Sequence, residues 1–345
     1  MSKAKVLIVG TGGVGTMAAY ALETGGKAEV TAVMRSNYAA VKEHGIDIDS
    51  IEHGHDIKGW RPTTITQAVP DVSQPGAAPF DFVLVTTKNV PDVSPTVSDI
   101  IAPAITPGRT AIVLSQNGLN IEKPVIARFP SNPVLSSISY IGATLKPNGA
   151  VLHDDTDAQK IGPFPGSCPD NTAAADDAAK RYVALYNPHG TLGVVYDADV
   201  TTVRWRKLLY NASYNSVAAI LHMDTPRIRM SRHVVDDLIR PIMREVMAAA
   251  AACGVATLPP DLPEAVIRAD PTDTAFKPSM AQDADKGNLM EIENIVGEPL
   301  REGEARGVPM PTLRTVYGML KGLQLLAKER RGLWEAKFEA DNPYQ

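Results

Sequence analysis

The hydrophobic pattern changes character part-way along this chain. Up to about residue 196 it is built from short unbroken apolar runs; after that it follows helical spacing. Residues 6–9, 29–34, 82–87, Ala111–Leu114 and 134–141 read as strands, most of them apolar throughout rather than alternating. Such runs suit strands covered on both faces, as in a mainly parallel sheet between helix layers. Pieces within 151–161 predict antiparallel strands at an edge, 170–186 a helix with alanine on one side and charge on the other, and Gly193–Tyr196 a closing strand. Between 45 and 79 the pattern is irregular, with short strands expected only near 46–48 and 64–65. Helical spacing then covers 200–221, 234–253, 262–269, 279–306 and Pro311–Arg330, almost without strand runs. The expected organisation is an α/β domain over 1–196, an all-α domain over 197–333 and a polar, disordered tail over 334–345.

The first strand sharpens this picture. It runs directly into Gly10-Thr11-Gly12-Gly13-Val14-Gly15 and then into an alanine-rich helix. In a G-x-G-x-x-G turn of this kind the first glycine permits the tight turn and the second lets a pyrophosphate approach the backbone. The third lets the helix pack closely on the sheet. The helix start adds free N–H groups and partial positive charge for phosphates. The first domain is therefore read as a Rossmann-type dinucleotide-binding domain. About twenty residues past that motif, where an NAD enzyme places an acid for the ribose 2′-hydroxyl, the chain has Arg35-Ser36-Asn37. A guanidinium beside small polar groups fits a 2′-phosphate, so NADPH is the expected cofactor. Lys88 ends the 82–87 strand and falls at the mouth of the cleft beyond the strands' carboxyl ends. Asn117-Gly118 after the next strand reads equally as a cleft residue and as a plain turn.

Composition narrows the function classes. With 44% hydrophobic and 21% charged residues and a net charge of −5, the 345-residue chain lacks the basic surface that nucleic acid or an anionic membrane would require. Two cysteines, neither in a C-x-x-C pair, and scattered histidines give no disulfide framework and no metal site. The opening apolar run is too short for a signal-peptide core and nothing later approaches a membrane span, so the cytoplasm is the expected compartment.

In the helical half, Arg204-Trp205-Arg206-Lys207-Leu208-Leu209-Tyr210-Asn211-Ala212-Ser213-Tyr214-Asn215 places Lys207, Asn211 and Asn215 four apart on one helix face. A lysine and two amides can donate a proton and orient a polar ligand without a metal. The plainer alternative is a solvated face, or buried amides that hold helix packing. Partial burial, or Arg204 one turn earlier, would lower the lysine's pKa.

GTGGVG at 10–15, TTKN ending in Lys88-Asn89, QNGLN at 116–120, RWRKLLYNASYN at 204–215 and PSMAQD at 278–283 followed by Glu291 together resemble the ketopantoate reductase family (2-dehydropantoate 2-reductases). The resemblance extends to about Gly332 and implies NADPH-dependent reduction of a small 2-keto acid. It makes Lys207 the general acid and Glu291 the second essential residue, holding a substrate hydroxyl. Asn211, Asn215 and Ser279 would bind substrate; Lys88 and Asn117 would line the cofactor and substrate cleft, and Arg35 would take the 2′-phosphate. A homodimer through the helical domain follows from the same resemblance. Local readings compete at two positions. Glu291 within a long helix could be an ordinary surface partner, and Ser279-Met280-Ala281-Gln282 is a capping-box pattern in which the serine caps a helix. Two departures concern the substrate rather than the reaction: Asn215 is followed by Ser216 where the family usually has proline, and 287–290 lacks the basic residues some relatives carry. Three functions compete: ketopantoate reductase itself, a sibling reductase of another keto acid, carbonyl or imine, and a silent NADPH-binding sensor. The silent protein would be expected to lose Lys207 or Glu291, and this chain keeps both.

Overall fold

A computed structural model describes residues 2–256, 258–338 and 340–345. The chain forms two compact units, Met1–Val203 and Arg204–Gln345. The division falls inside the helix that follows the last strand, a little later than the junction at 196 expected from the sequence.

The first unit is built on twelve strands. They are β1 Ala4–Val9, β2 Ala28–Val33, β3 Ile46–Ser50, β4 Gly54–Trp60, β5 Thr64–Thr66, β6 Phe82–Val85, β7 Ala111–Leu114, β8 Val134–Tyr140, β9 Ala143–Leu145, β10 Val151–His153, β11 Ala158–Pro163 and β12 Gly193–Tyr196. Its helices are α1 Gly13–Thr24, α2 Tyr38–His44, α3 Val97–Ile101, α4 Lys123–Arg128 and α5 Thr172–Tyr186. Eight strands form one sheet in the order β12-β11-β8-β7-β6-β1-β2-β5. Only the β8–β11 pairing in it is antiparallel. The unbroken apolar runs are explained by what covers them. Val6 and Ile8 point into a core shared with Met17 and Leu22 of α1 and Tyr182 and Tyr186 of α5. Leu7 and Val9 point the other way, onto Ile101 of α3 and Val125 of α4. Both faces of β1 are thus buried, as its composition requires.

The stretch 45–79 departs from the irregular reading. It supplies β3, β4 and β5, and β3 and β4 join β10 and β9 in a second sheet of order β4-β3-β10-β9. Its pattern hid this because the β3–β4 register shifts twice and β4 carries Gly54, Asp56 and Gly59 at positive φ. The strands within 151–161 divide between the two sheets, and β12 rather than β11 forms the outer edge.

The second unit is helical. Its elements begin with α6 Val200–Tyr210, whose first residues belong to the first unit. Then come α7 Ser216–Leu221, α8 Thr225–Met230, α9 Arg232–Val234, α10 Arg240–Ala252, α11 Leu262–Ile267, α12 Ser279–Asp285, α13 Glu298–Glu304 and α14 Pro311–Arg330. Three stretches, Asn211–Asn215, Val235–Ile239 and Glu293–Gly297, are π-helical turns; the first two join helices without a break, and the third leads directly into α13. The expected helix over 279–306 is interrupted. Gly287 adopts φ 64°, and the N–H of Asn288 returns to the Asp283 carbonyl at 2.8 Å. This left-handed glycine cap ends α12, and the chain becomes helical again only at Ile292. The 334–345 tail contains no helix or strand among its described residues.

Candidate functional site

In the first unit, the carboxyl ends of β1, β2, β6 and β7 are tied together around the glycine turn. Thr11 donates its hydroxyl to the Val33 carbonyl at 3.0 Å, which fixes the turn to the end of β2. The Thr86 hydroxyl donates to the Gly10 carbonyl, and the Gln116 side chain donates to the Thr87 carbonyl at 2.6 Å. Each glycine has its own reason. Gly10 sits at φ 107°, and a Cβ there would lie 2.7 Å from the Thr87 nitrogen. A Cβ on Gly15 would lie 1.8 Å from the Gly10 carbonyl oxygen, so close packing of α1 needs this glycine. Gly13 allows the Ala143 backbone of β9 to approach, with its carbonyl oxygen 2.1 Å from where a Cβ would stand. Gly12 is different: a Cβ there would meet nothing within 4 Å. Among the described residues nothing crowds that position, which lies at the start of a twelve-residue helix whose first N–H groups have no partner within the helix. A cradle left open in this way fits a pyrophosphate.

Arg35 and Ser36 are exposed just beyond β2, and Lys88 is exposed just beyond β6. Asn117, half-buried, precedes Gly118 at φ 102° in the loop after β7. The sequence-derived cofactor residues therefore all lie at one end of the large sheet.

In the second unit, the polar stripe is buried rather than solvated. Arg204, Asn211, Asn215 and Glu291 are each at most 6% exposed, while Lys207 keeps partial access to solvent. Burial first, and repulsion from Arg204 second, pull the Lys207 ammonium down from 10.5 to about 8, with the Glu291 carboxylate opposing both. That opposition brings Glu291 within electrostatic reach of Lys207. Glu291 is not in the middle of a helix. Its carbonyl accepts from the Ile295 N–H at 3.1 Å, so it stands at the start of the helical segment that begins with Ile292. A mid-helix surface role for Glu291 is thereby overturned.

The two asparagines form a chain of amides. Asn215 donates to the Asn211 side-chain oxygen at 3.0 Å, and its own oxygen accepts from the Met280 N–H at 3.2 Å. Asn215 thus satisfies one of the open N–H groups at the start of α12, and part of its role is structural. Ser279 is the first residue of α12, not its cap. Pro278 occupies the cap position and there is no side-chain cap, which corrects the capping-box reading. The stripe also differs from α-helical geometry. The Asn211–Asn215 turn is π-helical, and across it the two amides meet in a hydrogen bond. The sequence gives no apolar-period signal for this. Its only local clue is the paired serines, Ser213 and Ser216.

No cluster able to hold a metal ion occurs among the described residues, and no helix among them is long and apolar enough to cross a membrane.

Comparison with known proteins gives a consistent family. Residues 6–166 match the family model "Ketopantoate reductase PanE/ApbA", and residues 199–324 match "Ketopantoate reductase PanE/ApbA C terminal". An uncharacterised protein of Saccharomyces cerevisiae is 36% identical over 95% of this chain and 96% of its own length. The crystal structure of 2-dehydropantoate 2-reductase from Methylococcus capsulatus superposes with a TM-score of 0.79 at 30% identity, covering 94% of this chain and 97% of that one. A ternary structure of D-mandelate dehydrogenase with NADH and anilino(oxo)acetate shares the fold, with a TM-score of 0.75 at 21% identity over 93% of this chain and 98% of that one.

Proposed function

We propose that this chain, which belongs to the ketopantoate reductase family, reduces a 2-keto acid, 2-dehydropantoate or a close relative, using NADPH and Lys207 as proton donor. The observation that carries the reading is the setting of Lys207, a partly buried lysine whose pKa is drawn down to about 8 by burial and Arg204 against the opposing Glu291 carboxylate. An acid of that strength is well matched to proton donation near neutral pH.

The dinucleotide, when bound, supplies the hydride that goes to the ketone carbon. Charge then builds on the ketone oxygen, and the Lys207 ammonium neutralises it and passes over its proton, leaving a hydroxyl. Glu291 accepts a hydrogen bond from a hydroxyl of the substrate. Asn211, Ser279 and the remaining amide capacity of Asn215 orient the carboxylate end. The backbone from Gly10 to Gly15, including Thr11, Gly13 and Val14, holds the pyrophosphate. Arg35 and Ser36 take the 2′-phosphate and so favour NADPH over NADH, and Lys88 and Asn117 line the nicotinamide end. Residues 1–196 are assigned to cofactor binding and 197–333 to the proton donor and substrate contacts. Homodimerisation through the helical unit and a cytoplasmic setting complete the proposal.

One N–H and one lone pair of Asn215 are already committed, to Asn211 and Met280. At most the second of each remains for a ligand.

NADPH and NADH oxidation followed by absorbance with a panel of 2-keto acids tests the proposal. Turnover is expected with at least one of them, and faster with NADPH. Ketopantoate as the best substrate would select the named reaction, and another acid the sibling reaction. Tight cofactor binding without turnover of any acid would leave the non-catalytic sensor and defeat the proposal.

A further inference from the structure

The π-helical turn beneath the asparagine pair is held differently from the other two. In a π-turn, N–H groups reach five residues back, and carbonyls that an α-helix would pair four residues on need another donor. At Val235–Ile239 the Arg240 N–H returns to Val235, and at Glu293–Gly297 the Glu298 N–H returns to Glu293. Each is followed, after one intervening residue, by a proline, Pro241 after Arg240 and Pro299 after Glu298. Proline has no N–H and its ring crowds the carbonyl four residues back, so neither turn can tighten into an α-helix.

No proline follows Asn215; the chain continues Ser216-Val217-Ala218. A hydroxyl stands in. Ser216 Oγ shares its proton between the Ala212 carbonyl at 2.5 Å and the Ser213 carbonyl at 2.9 Å. Those are the carbonyls that the N–H groups of Ser216 and Val217 would take in an α-helix. One turn earlier, the Ser213 hydroxyl donates to the Leu209 carbonyl in the same way. Serine hydroxyls that back-bond to carbonyls of the preceding turn are known to bend helices. Ser216 is 0% exposed, so solvent does not compete for these carbonyls.

We infer that Ser216 is a positioning residue. Its hydroxyl holds the Asn211–Asn215 turn open and thereby sets where both amides stand relative to Lys207. The hydroxyl at 216 and the rings at 241 and 299 are then different devices, the serine standing one residue nearer to its turn than the prolines do to theirs. The kinetic part of this inference rests on the keto-acid reading above.

In Ser216→Ala, the amide of residue 216, which returns to the Ser213 carbonyl in the wild-type protein, takes the Ala212 carbonyl instead, the turn closes toward an α-helix, and the two asparagines rotate. In Ser216→Pro, no N–H is present at 216 and the ring presses on Ala212, so the turn stays open. Kinetics with the best keto acid, NADPH affinity, melting temperature and a crystal structure of each variant test this. Ser216→Ala should raise KM for the keto acid roughly 10–100-fold, the scale of a displaced positioning group. NADPH affinity should stay at the wild-type value, and Ser216→Pro should recover most of the loss. Wild-type KM in Ser216→Ala, with or without a lower melting temperature, would reduce the residue to helix packing and overturn the inference. Ser216→Pro as impaired as Ser216→Ala would do the same. If wild-type protein turns over no keto acid, the reaction reading fails separately. The crystal structure of Ser216→Ala then decides: an α-helical 211–215 supports the device, and an unchanged π-turn rejects it.

Discussion

Lys207→Ala is expected to lower kcat with the preferred keto acid by about 10²–10⁴-fold, the usual worth of a positioned acid or base. NADPH affinity should be untouched, because every residue assigned to the cofactor belongs to the other unit. The loss should fall on kcat rather than on KM, since the ammonium acts mainly on charge that exists only as the ketone oxygen is reduced. Stopped-flow or steady-state oxidation of NADPH by the variant checks this. Near-normal turnover would remove Lys207 from the chemistry and leave it a buried lysine beside a carboxylate.

Glu291→Gln carries the second large effect, through two separable routes. The amide keeps the shape but loses the charge that strengthens a hydrogen bond to a substrate hydroxyl. A charged hydrogen bond contributes about 1.5–3 kcal/mol, so kcat/KM should fall by roughly ten- to a hundredfold. The second route acts on Lys207. The carboxylate raises the lysine's pKa against burial and Arg204, so its removal should move that pKa below about 8. At neutral pH a smaller fraction of Lys207 would then carry the proton it must donate. A variant with reduced kcat/KM but an unmoved alkaline limb would mean that Glu291 holds substrate without tuning the lysine.

The parts of this molecule visible in its sequence are those with local causes. The β1–turn–α1 unit was legible because its glycine spacing follows a buried strand directly, with Gly15 packed against the Gly10 carbonyl of the same turn, and the strands because burial on both faces leaves an unbroken apolar run. The bulged second sheet was not legible. β4 carries Gly54, His55, Asp56, Lys58 and Gly59, and its pairing with β3 is set by tertiary contacts rather than by alternation. The break after α12 had a local signal, Lys286-Gly287 following a short helical run, which the continuing helical period on either side obscured. The polar stripe was found by its spacing of four, but spacing alone assumes an α-helix. That the stripe runs through a widened turn, and that Asn215 also closes the start of α12, depends on hydrogen bonds to Ala212, Ser213 and Met280. Burial of Lys207 likewise comes from how the helices pack, and with it the shift in its acidity.

The most direct test of the account is the pH dependence of kcat/KM for the wild-type protein with its preferred keto acid. Lys207 must be protonated to donate, so activity should be full below about 8 and fall as the pH rises through that value. The same limb should be absent from the residual activity of Lys207→Ala. A profile that stays flat through pH 8 and declines only near the ordinary lysine value of 10.5, or a limb near 8 that survives in Lys207→Ala, would contradict Lys207 as the buried proton donor.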